Sequence, residues 1–375
     1  MITLAIDATA LPPNPVGAGQ YTIHLIRALP HLAGDARFLV YAQPHGRDLI
    51  GLPQSDALHF VRVSPMSPAR RLLWEQTVFA ALLRRSGADV LLSPHYTMPL
   101  VKPLPQVVVF HDMTFFLFPH LHTFSKRHFF RWMIRQSARR ADHLLAVSES
   151  TRQDAIHLAG APPEKISTTP LGVTPDFHPI TDAGRLEAVR ARYGLPARFV
   201  LFVGLLEPRK NLPGLLRAFQ RVASACPEVS LVVVGRKGWM YEQALHLVTG
   251  LGLRERVHFT GYVAQDDLPV VYNLAEVVAY PSLYEGFGLP VLEAMACGKP
   301  VVTANRSSMP EIASEAAVLT SPEDTDALAE ALIGLLRHPE ARTRLGAAAR
   351  QRAGTFTWQR TARLTLDACR RVKEG

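Results

Sequence analysis

Short β-rich apolar runs recur along the chain with helix-length amphipathic stretches between them, and few folds accept that rhythm. In the first half the runs are LAID at 4–7, FLVYA at 38–42, VLLS at 90–93, VVVFHD at 107–112 and LLAVS at 144–148. This is the βαβ pattern of a parallel sheet covered on both faces. It stops at residues 170–184, where Pro170, Pro175 and Pro179 together with Gly172 and Gly184 interrupt regular structure. It resumes with FVLFVG at 199–204, LVVVG at 231–235, VHFTG at 257–261, VVAYPS at 277–282 and PVVTA at 300–304. The expected fold is α/β, with two Rossmann-like domains in tandem. Ligands of such sheets bind beyond the carboxyl ends of the strands, so the active site is expected in a cleft between the domains. From Pro322 onward three helical stretches close the chain, and Thr357 is placed to cap the last of them.

Composition agrees with this reading. A chain of 375 residues exceeds one ordinary core. With 48% apolar and 19% charged residues it is not a disordered polyelectrolyte. The net charge is +9, and the first 170 residues carry 17 Lys and Arg against 11 Asp and Glu, with 11 of the 15 His. Such a surface favours anionic partners in general: phosphorylated ligands, acidic lipid head groups or nucleic acid. A merely solvated basic surface has the same composition. Cys226, Cys297 and Cys369 lie far apart, without metal-ligand or disulfide spacing, which fits a reducing cytoplasm. No apolar run reaches the roughly 18 residues of a membrane span, and Met1 leads directly into ITLAID. The expected location is therefore cytoplasmic, with any membrane contact peripheral.

Several segments carry groups suited to chemistry. Gly17 and Gly19 precede a helical pattern, where a close backbone and free N–H groups attract phosphate. An ordinary strand-to-helix turn reads the same. GLLEPRKNL, residues 204–212, sets Glu207, Arg209 and Lys210 just beyond a buried strand, and two adjacent cations there can neutralise a diphosphate. The most informative stretch is PSLYEGFGLPVLEAMACG, residues 281–298. Gly286, Phe287 and Gly288 lead into a helix start near Pro290, which leaves N–H groups for an anion. Glu285 stands at the loop entry and Glu293 is expected on the first helical turn. Two carboxylates across one loop suit the hydroxyls of two sugar rings.

On the first domain His111 and Asp112 end a strand, where an imidazole can meet a substrate hydroxyl. His120, His122 and His128 show no ligand pattern and are read as solvated. Asp324-Thr325-Asp326 offers a D-x-D, but helix capping accounts for it and no metal site is expected. Residues 126–140 combine Lys126, Arg127, Arg131, Arg135, Arg139 and Arg140 with Phe129, Phe130, Trp132 and Met133. Such a helix can rest on an acidic membrane, but its apolar positions are expected to pack on the sheet, leaving a basic outer face.

Taken together, these motifs resemble the retaining GT-B glycosyltransferases of family 4 (group 1), particularly bacterial mannosyltransferases of surface-polysaccharide assembly. The resemblance runs through GAGQYT at 17–22, WEQ at 74–76, VVFHD at 108–112, AVSESTRQD at 146–154, PLGV at 170–173, GLLEPRKN, the EGFGLPVLEA block, NRSSMPEIA at 305–313 and the closing FTW. It implies domains at 1–172 on the acceptor side and 173–355 for the nucleotide sugar, with a helix at 356–375 crossing back to the first. It also implies that Gly17 and Gly19 close over the donor, that His111 lines the reaction centre, and that Arg209 and Lys210 hold the diphosphate. Glu285 would contact the donor sugar, Phe287, Gly288 and Leu289 would offer N–H groups, and Glu293 would bind the ribose. Relatives often have Gly-Ile-Gly-Arg where Ala18 and Gln20 stand here, which removes one phosphate contact.

The implied activity is metal-independent and cofactor-free transfer of a hexose, mannose in the first instance, from GDP-mannose or another nucleotide sugar. The acceptor is expected to be a saccharide or polyprenyl-linked saccharide, with peripheral membrane contact through 126–140 and no nucleic acid. Were a covalent intermediate used, Glu285 would be the first candidate nucleophile, though a binding role is favoured. Loops at 235–238 and 261–263 would select the base. A UDP- or dTDP-sugar as donor, and a nucleotide-sugar-binding protein without catalysis, remain compatible with these residues.

Overall fold

In the computed structural model, which describes every residue except 33, 237, 239 and 240, the chain divides into two compact units. Met1–Gly172 together with Thr357–Gly375 form the first, and Val173–Phe356 form the second. The first unit is built on β1 (Ile2–Asp7), β2 (Ala36–Ala42), β3 (Leu58–Arg62), β4 (Val90–Ser93), β5 (Gln106–Phe110), β6 (His143–Ala146) and β7 (Ile166–Thr168). These lie in the order β3-β2-β1-β4-β5-β6-β7, all parallel. The second has β8 (Phe199–Val203), β9 (Ser230–Val234), β10 (Val257–Gly261), β11 (Val277–Tyr280), β12 (Val301–Ala304) and β13 (Val318–Thr320). Their order is β10-β9-β8-β11-β12-β13, again parallel.

Both sheets are doubly wound because their central strands have no polar face to leave in water. All five residues of β5, β8 and β9 are buried. Each large apolar side chain so covered contributes about 1.5–3 kcal/mol. Strand order reverses between β1 and β4 in one unit and between β8 and β11 in the other, and a crevice opens at the carboxyl ends beside such a reversal. Three strands, β3, β7 and β13, are absent from the sequence expectation. All lie at or next to a sheet edge, two are only three residues long, and each is partly exposed, so none forms a continuous apolar run.

Helix ends follow local rules. Thr357 Oγ1 accepts the Arg360 N–H at 3.2 Å, capping Trp358–Glu374. Asp324 Oδ1 accepts the Ala327 N–H at 2.9 Å, so the D-x-D caps Thr325–Arg337. The helix Trp358–Glu374 belongs to the first unit, where Trp358 stacks on His24 at 5.1 Å and Thr361 Oγ1 donates to the Pro170 carbonyl at 2.6 Å.

The basic helix Phe124–Arg140 packs through Phe130, Met133, Ile134, Ser137 and Ala138. Phe124 and Trp132 stay 71% and 49% exposed among outward Lys126, Arg135, Arg139 and Arg140. One expectation is corrected here: His122 is partly buried and stacks on Phe115 at 4.1 Å rather than standing in solvent. Among the described residues no helix is long and apolar enough to cross a membrane.

Candidate active site

In the second unit the groups gather beyond β8 and β11, at the reversal of strand order. A short 3-10 turn, Pro208–Lys210, follows β8 and ends at Asn211, whose left-handed backbone (φ 56°) starts the next helix. Asn211 Oδ1 accepts the Gly214 N–H at 3.3 Å and its Nδ2 donates to the Pro322 carbonyl at 2.7 Å, fixing the turn. Lys210 is thereby buried, with its Nζ 2.6 Å from both Glu285 Oε1 and the Tyr280 hydroxyl. Arg209 donates from NH1 to Glu285 Oε2 at 2.6 Å and its Nε lies 2.7 Å from Glu207 Oε1. Ser282 Oγ and the Tyr280 hydroxyl add bonds of 2.7 and 2.9 Å to Glu285 Oε1.

A buried carboxylate thus faces two buried or half-buried cations. Burial pushes the Glu285 carboxyl up, yet Arg209, Lys210 and the Lys210 and Ser282 hydrogen bonds hold it at about 2. Burial pulls Lys210 below the usual lysine value while Glu285 opposes the shift. The side chains expected on a diphosphate are therefore paired with the carboxylate expected on the donor sugar. Tyr280 and Ser282 complete the cluster, and neither carried a sequence signal beyond its place at the end of a strand.

The loop after Glu285 is held by the NRSS segment. Ser307 Oγ accepts the Glu285 N–H at 3.0 Å, and Ser308 Oγ donates to the carbonyls of Glu285, at 3.0 Å, and Phe287. Gly288 has φ +116°, and a Cβ there would meet Met309 Cε at 2.2 Å, so only glycine fits. Among the described residues, the N–H groups of Phe287, Gly288 and Leu289 have no acceptor, as at any open helix start.

Glu293 lies on the second turn of Leu289–Ala296, since Gly288 is the N-cap and the first turn holds no acid, which corrects the first-turn expectation. Helix-dipole stabilisation of an acid fades beyond the first turn. Burial pushes its carboxyl up to about 7, against a 2.9 Å hydrogen bond from Tyr272. Of the loops expected to select a base, residue 237 lies outside the described residues. Arg236 sits over the exposed Tyr262 ring at 4.8 Å.

In the first unit His111 lies one residue past β5, partly buried, with Tyr21 edge-on at 4.9 Å. Its Nε2 lies 2.9 Å from the Pro94 carbonyl, which can only accept, so Nε2 carries the proton. Burial keeps the imidazole below its ordinary pKa, against the Pro94 bond and the nearby Asp112 charge, and so neutral. Gly17, with φ +49°, precedes the helix Ala18–Ala28, and Gly19 is buried where a Cβ would stand 2.7 Å from Pro15 Cβ.

A second cluster, beyond β1 and β4, has no counterpart in the sequence reading. Asp7, Glu75 and His95 present ligand-type atoms within 4.8 Å of one another. Arg71 lies among them, with NH2 2.6 Å from Glu75 Oε2 and NH1 3.4 Å from Asp7 Oδ2. A guanidinium therefore occupies the place a cation would take. Burial raises Asp7, but the His95 and Arg71 charges hold it well below its ordinary value; burial leaves Glu75 raised. Asp7 within LAID and Glu75 within WEQ were in view in the sequence, but nothing there linked them.

Comparisons with known proteins extend the geometry. Residues 15–177 match the family described as Glycosyltransferase Family 4, and residues 189–352 match Glycosyl transferases group 1. The chain is 32% identical over 370 residues to O-antigen chain mannosyltransferase B of Escherichia coli, covering 94% of this chain and 95% of that protein. Among solved structures it is similar to sucrose-phosphate synthase from Thermosynechococcus elongatus, with a TM-score of 0.78, 21% identity and 99% coverage of both chains. It also resembles Anabaena Alr3699/HepE in complex with UDP and glucose, with a TM-score of 0.74, 21% identity and coverage of 98% and 99%. At these identities the two structures speak for the fold, which is GT-B.

Proposed function

The chain belongs to the group 1, family 4 glycosyltransferases, and from that premise we propose that it moves mannose from GDP-mannose to a saccharide or polyprenyl-linked saccharide. The observation that carries this reading is the buried Glu285–Arg209–Lys210 cluster, followed along the chain by the Phe287, Gly288 and Leu289 N–H groups, which have no acceptor among the described residues. Departure of a nucleoside diphosphate develops negative charge, and fixed cations and dipoles stabilise it most where water is excluded. Arg209, Lys210 and the N–H groups of Phe287, Gly288 and Leu289 take the diphosphate, with no metal required. Glu293 takes the ribose hydroxyls on the oxygen that Tyr272 leaves open.

Glu285 holds both cations in place and reaches the donor sugar through Oε2, the oxygen with fewer bonds. His111, in the first unit, is the group on the acceptor side. Configuration at the anomeric carbon is retained, without a covalent glycosyl-Glu285 intermediate, since both carboxylate oxygens are engaged, Oε1 by Lys210, Tyr280 and Ser282 and Oε2 by Arg209. Mannose as the sugar is supported by the similarity to O-antigen chain mannosyltransferase B of Escherichia coli. Peripheral contact with an acidic membrane through Phe124, Trp132 and the surrounding Lys and Arg fits a lipid-linked acceptor.

A thermal-shift panel of GDP-, UDP- and dTDP-sugars tests the donor. The right one at a hundred times its Kd adds about 2.7 kcal/mol of stability. Incubation with donor and a mannose-terminated glycan then tests the transfer: free nucleoside diphosphate must appear in step with a lengthened glycan of retained configuration. Tight donor binding without release would leave a binding protein, not an enzyme acting on that donor.

A further inference from the structure

Glu75 and Gln76 lie far from the donor groups in sequence, and their side chains grip one loop of the first unit. Gln76 Nε2 donates to the Met98 carbonyl at 2.9 Å, and Gln76 Oε1 accepts the Leu100 N–H at 2.8 Å. One amide thus binds backbone on both sides of Pro99. Glu75 Oε2 accepts from Thr97 Oγ1 at 2.7 Å and from Arg71 at 2.6 Å. Arg71 NH2 also donates to Thr97 Oγ1 at 3.0 Å. His95 in the same loop pairs with Asp7 at 3.1 Å, and Pro94 beside it offers its carbonyl to His111.

We propose that Glu75 and Gln76 are positioning residues of the transfer reaction, which clamp residues 94–100 so that the Pro94 carbonyl fixes His111 in its Nε2–H tautomer. Nδ1 is then the nitrogen that accepts a hydrogen bond from the acceptor hydroxyl. This rests on the reading of His111 as the acceptor-side group. Packing alone does not call for these residue types, because a buried carboxylate and a half-buried amide carry desolvation costs that apolar side chains of similar volume avoid. What a polar clamp adds is a defined position for the backbone it holds. If Pro94 shifts, Nε2 loses its acceptor and the two neutral tautomers mix. The charged or titratable groups around the ring are Asp112 beside it, His95 in the clamped loop and the Tyr21 phenol edge-on; Tyr96 lies edge-on at 6.1 Å.

The test uses the full chain with Gln76→Leu and the near-isosteric Thr97→Val. Misplacing a reacting group by about 1 Å costs on the order of 10²-fold, so kcat should fall by that order while the donor KM stays within about twofold. Ring nitrogen-15 NMR supplies a readout that a merely structural role leaves unmoved. The His111 signal, identified by its loss in His111→Asn, should report Nε2–H in the parent and a tautomer mixture in Gln76→Leu. Thr97→Val supplies the same readout if Gln76→Leu does not fold. An unmoved His111 signal in a folded variant overturns the clamp, whatever happens to turnover. Full turnover in His111→Asn overturns instead the acceptor-side reading on which the clamp's catalytic role depends.

Discussion

Replacing Lys210 by Met separates what that residue does for folding from what it does for transfer. The substitution keeps an apolar stem and deletes a charge with 2.6 Å contacts to Glu285 and Tyr280. Removing one partner of a buried ion pair costs about 3–5 kcal/mol when the other is left uncompensated. Glu285 is not left so, because Arg209 at 2.6 Å, Ser282 at 2.7 Å and Tyr280 at 2.9 Å remain. The expected loss is then one charge-assisted hydrogen bond, about 1.5–3 kcal/mol. For a unit of this size that lowers Tm by about 3–12 °C and leaves it folded at 25 °C.

On the proposed reading the catalytic loss is larger. Deleting one preorganised group aimed at developing oxyanion charge costs about 10²–10³ in kcat, or about 2.7–4 kcal/mol. The assay is nucleoside diphosphate release at saturating donor, alongside calorimetric melting of the same samples. A folded Lys210→Met protein whose kcat stays within about threefold of the parent would refute the reasoning and make Lys210 a structural residue.

Three further outcomes are expected. Glu293 has a folded value of about 7, above its ordinary 4.5, so the stability linked to its protonation is complete below 4.5 and lost as pH rises through 7. Donor binding runs the other way, because ribose hydroxyls need the carboxylate; donor affinity should be about tenfold weaker at pH 6 than at pH 8, and Glu293→Gln should flatten that dependence in a titration. Gly288→Ala forces a Cβ to 2.2 Å from Met309 Cε at φ +116° and displaces the N–H groups beside it; donor binding should be lost along with about 1–3 kcal/mol of stability, and wild-type binding by calorimetry would contradict the loop assignment. Exhaustive chelation should leave turnover unchanged if Arg209 and Lys210 neutralise the diphosphate, whereas activity that vanishes and returns with a divalent ion would contradict the metal-free reading.

The two sheets were legible because their central strands are buried on both faces, and FVLFV or LVVV leaves no other reading. The edge strands were not, since Leu58–Arg62 alternates weakly and Ile166–Thr168 is too short to show a period. The same contrast holds at the site. Gly288 and Glu285 were found because loop chemistry constrains residues close in sequence. The bonds from Glu75 and Gln76 to residues 97, 98 and 100 span 22 to 24 positions and follow no local rule. Tyr280 was read only as strand, because a phenol at a strand end becomes polar machinery only when the packed sheet brings Lys210 beneath it.

The structure also changes how Glu285 is to be understood. Burial alone would drive Lys210 toward its neutral form, and a neutral amine is of little use to a departing diphosphate. Glu285 prevents this by standing in, before the donor arrives, for the anion the site is proposed to receive. Its Oε1 accepts from three donors and its Oε2 from Arg209, so the cations wait charged and oriented in a place where isolated charges would be unstable. Donor binding is then an exchange of anionic partners rather than the burial of new charge, and the free energy that would otherwise go to desolvating two cations remains for the transition state. A carboxylate in that role matters most through Arg209 and Lys210. Glu285→Gln should accordingly damage the diphosphate contacts as severely as Lys210→Met does, with an uncharged amide still able to reach the sugar.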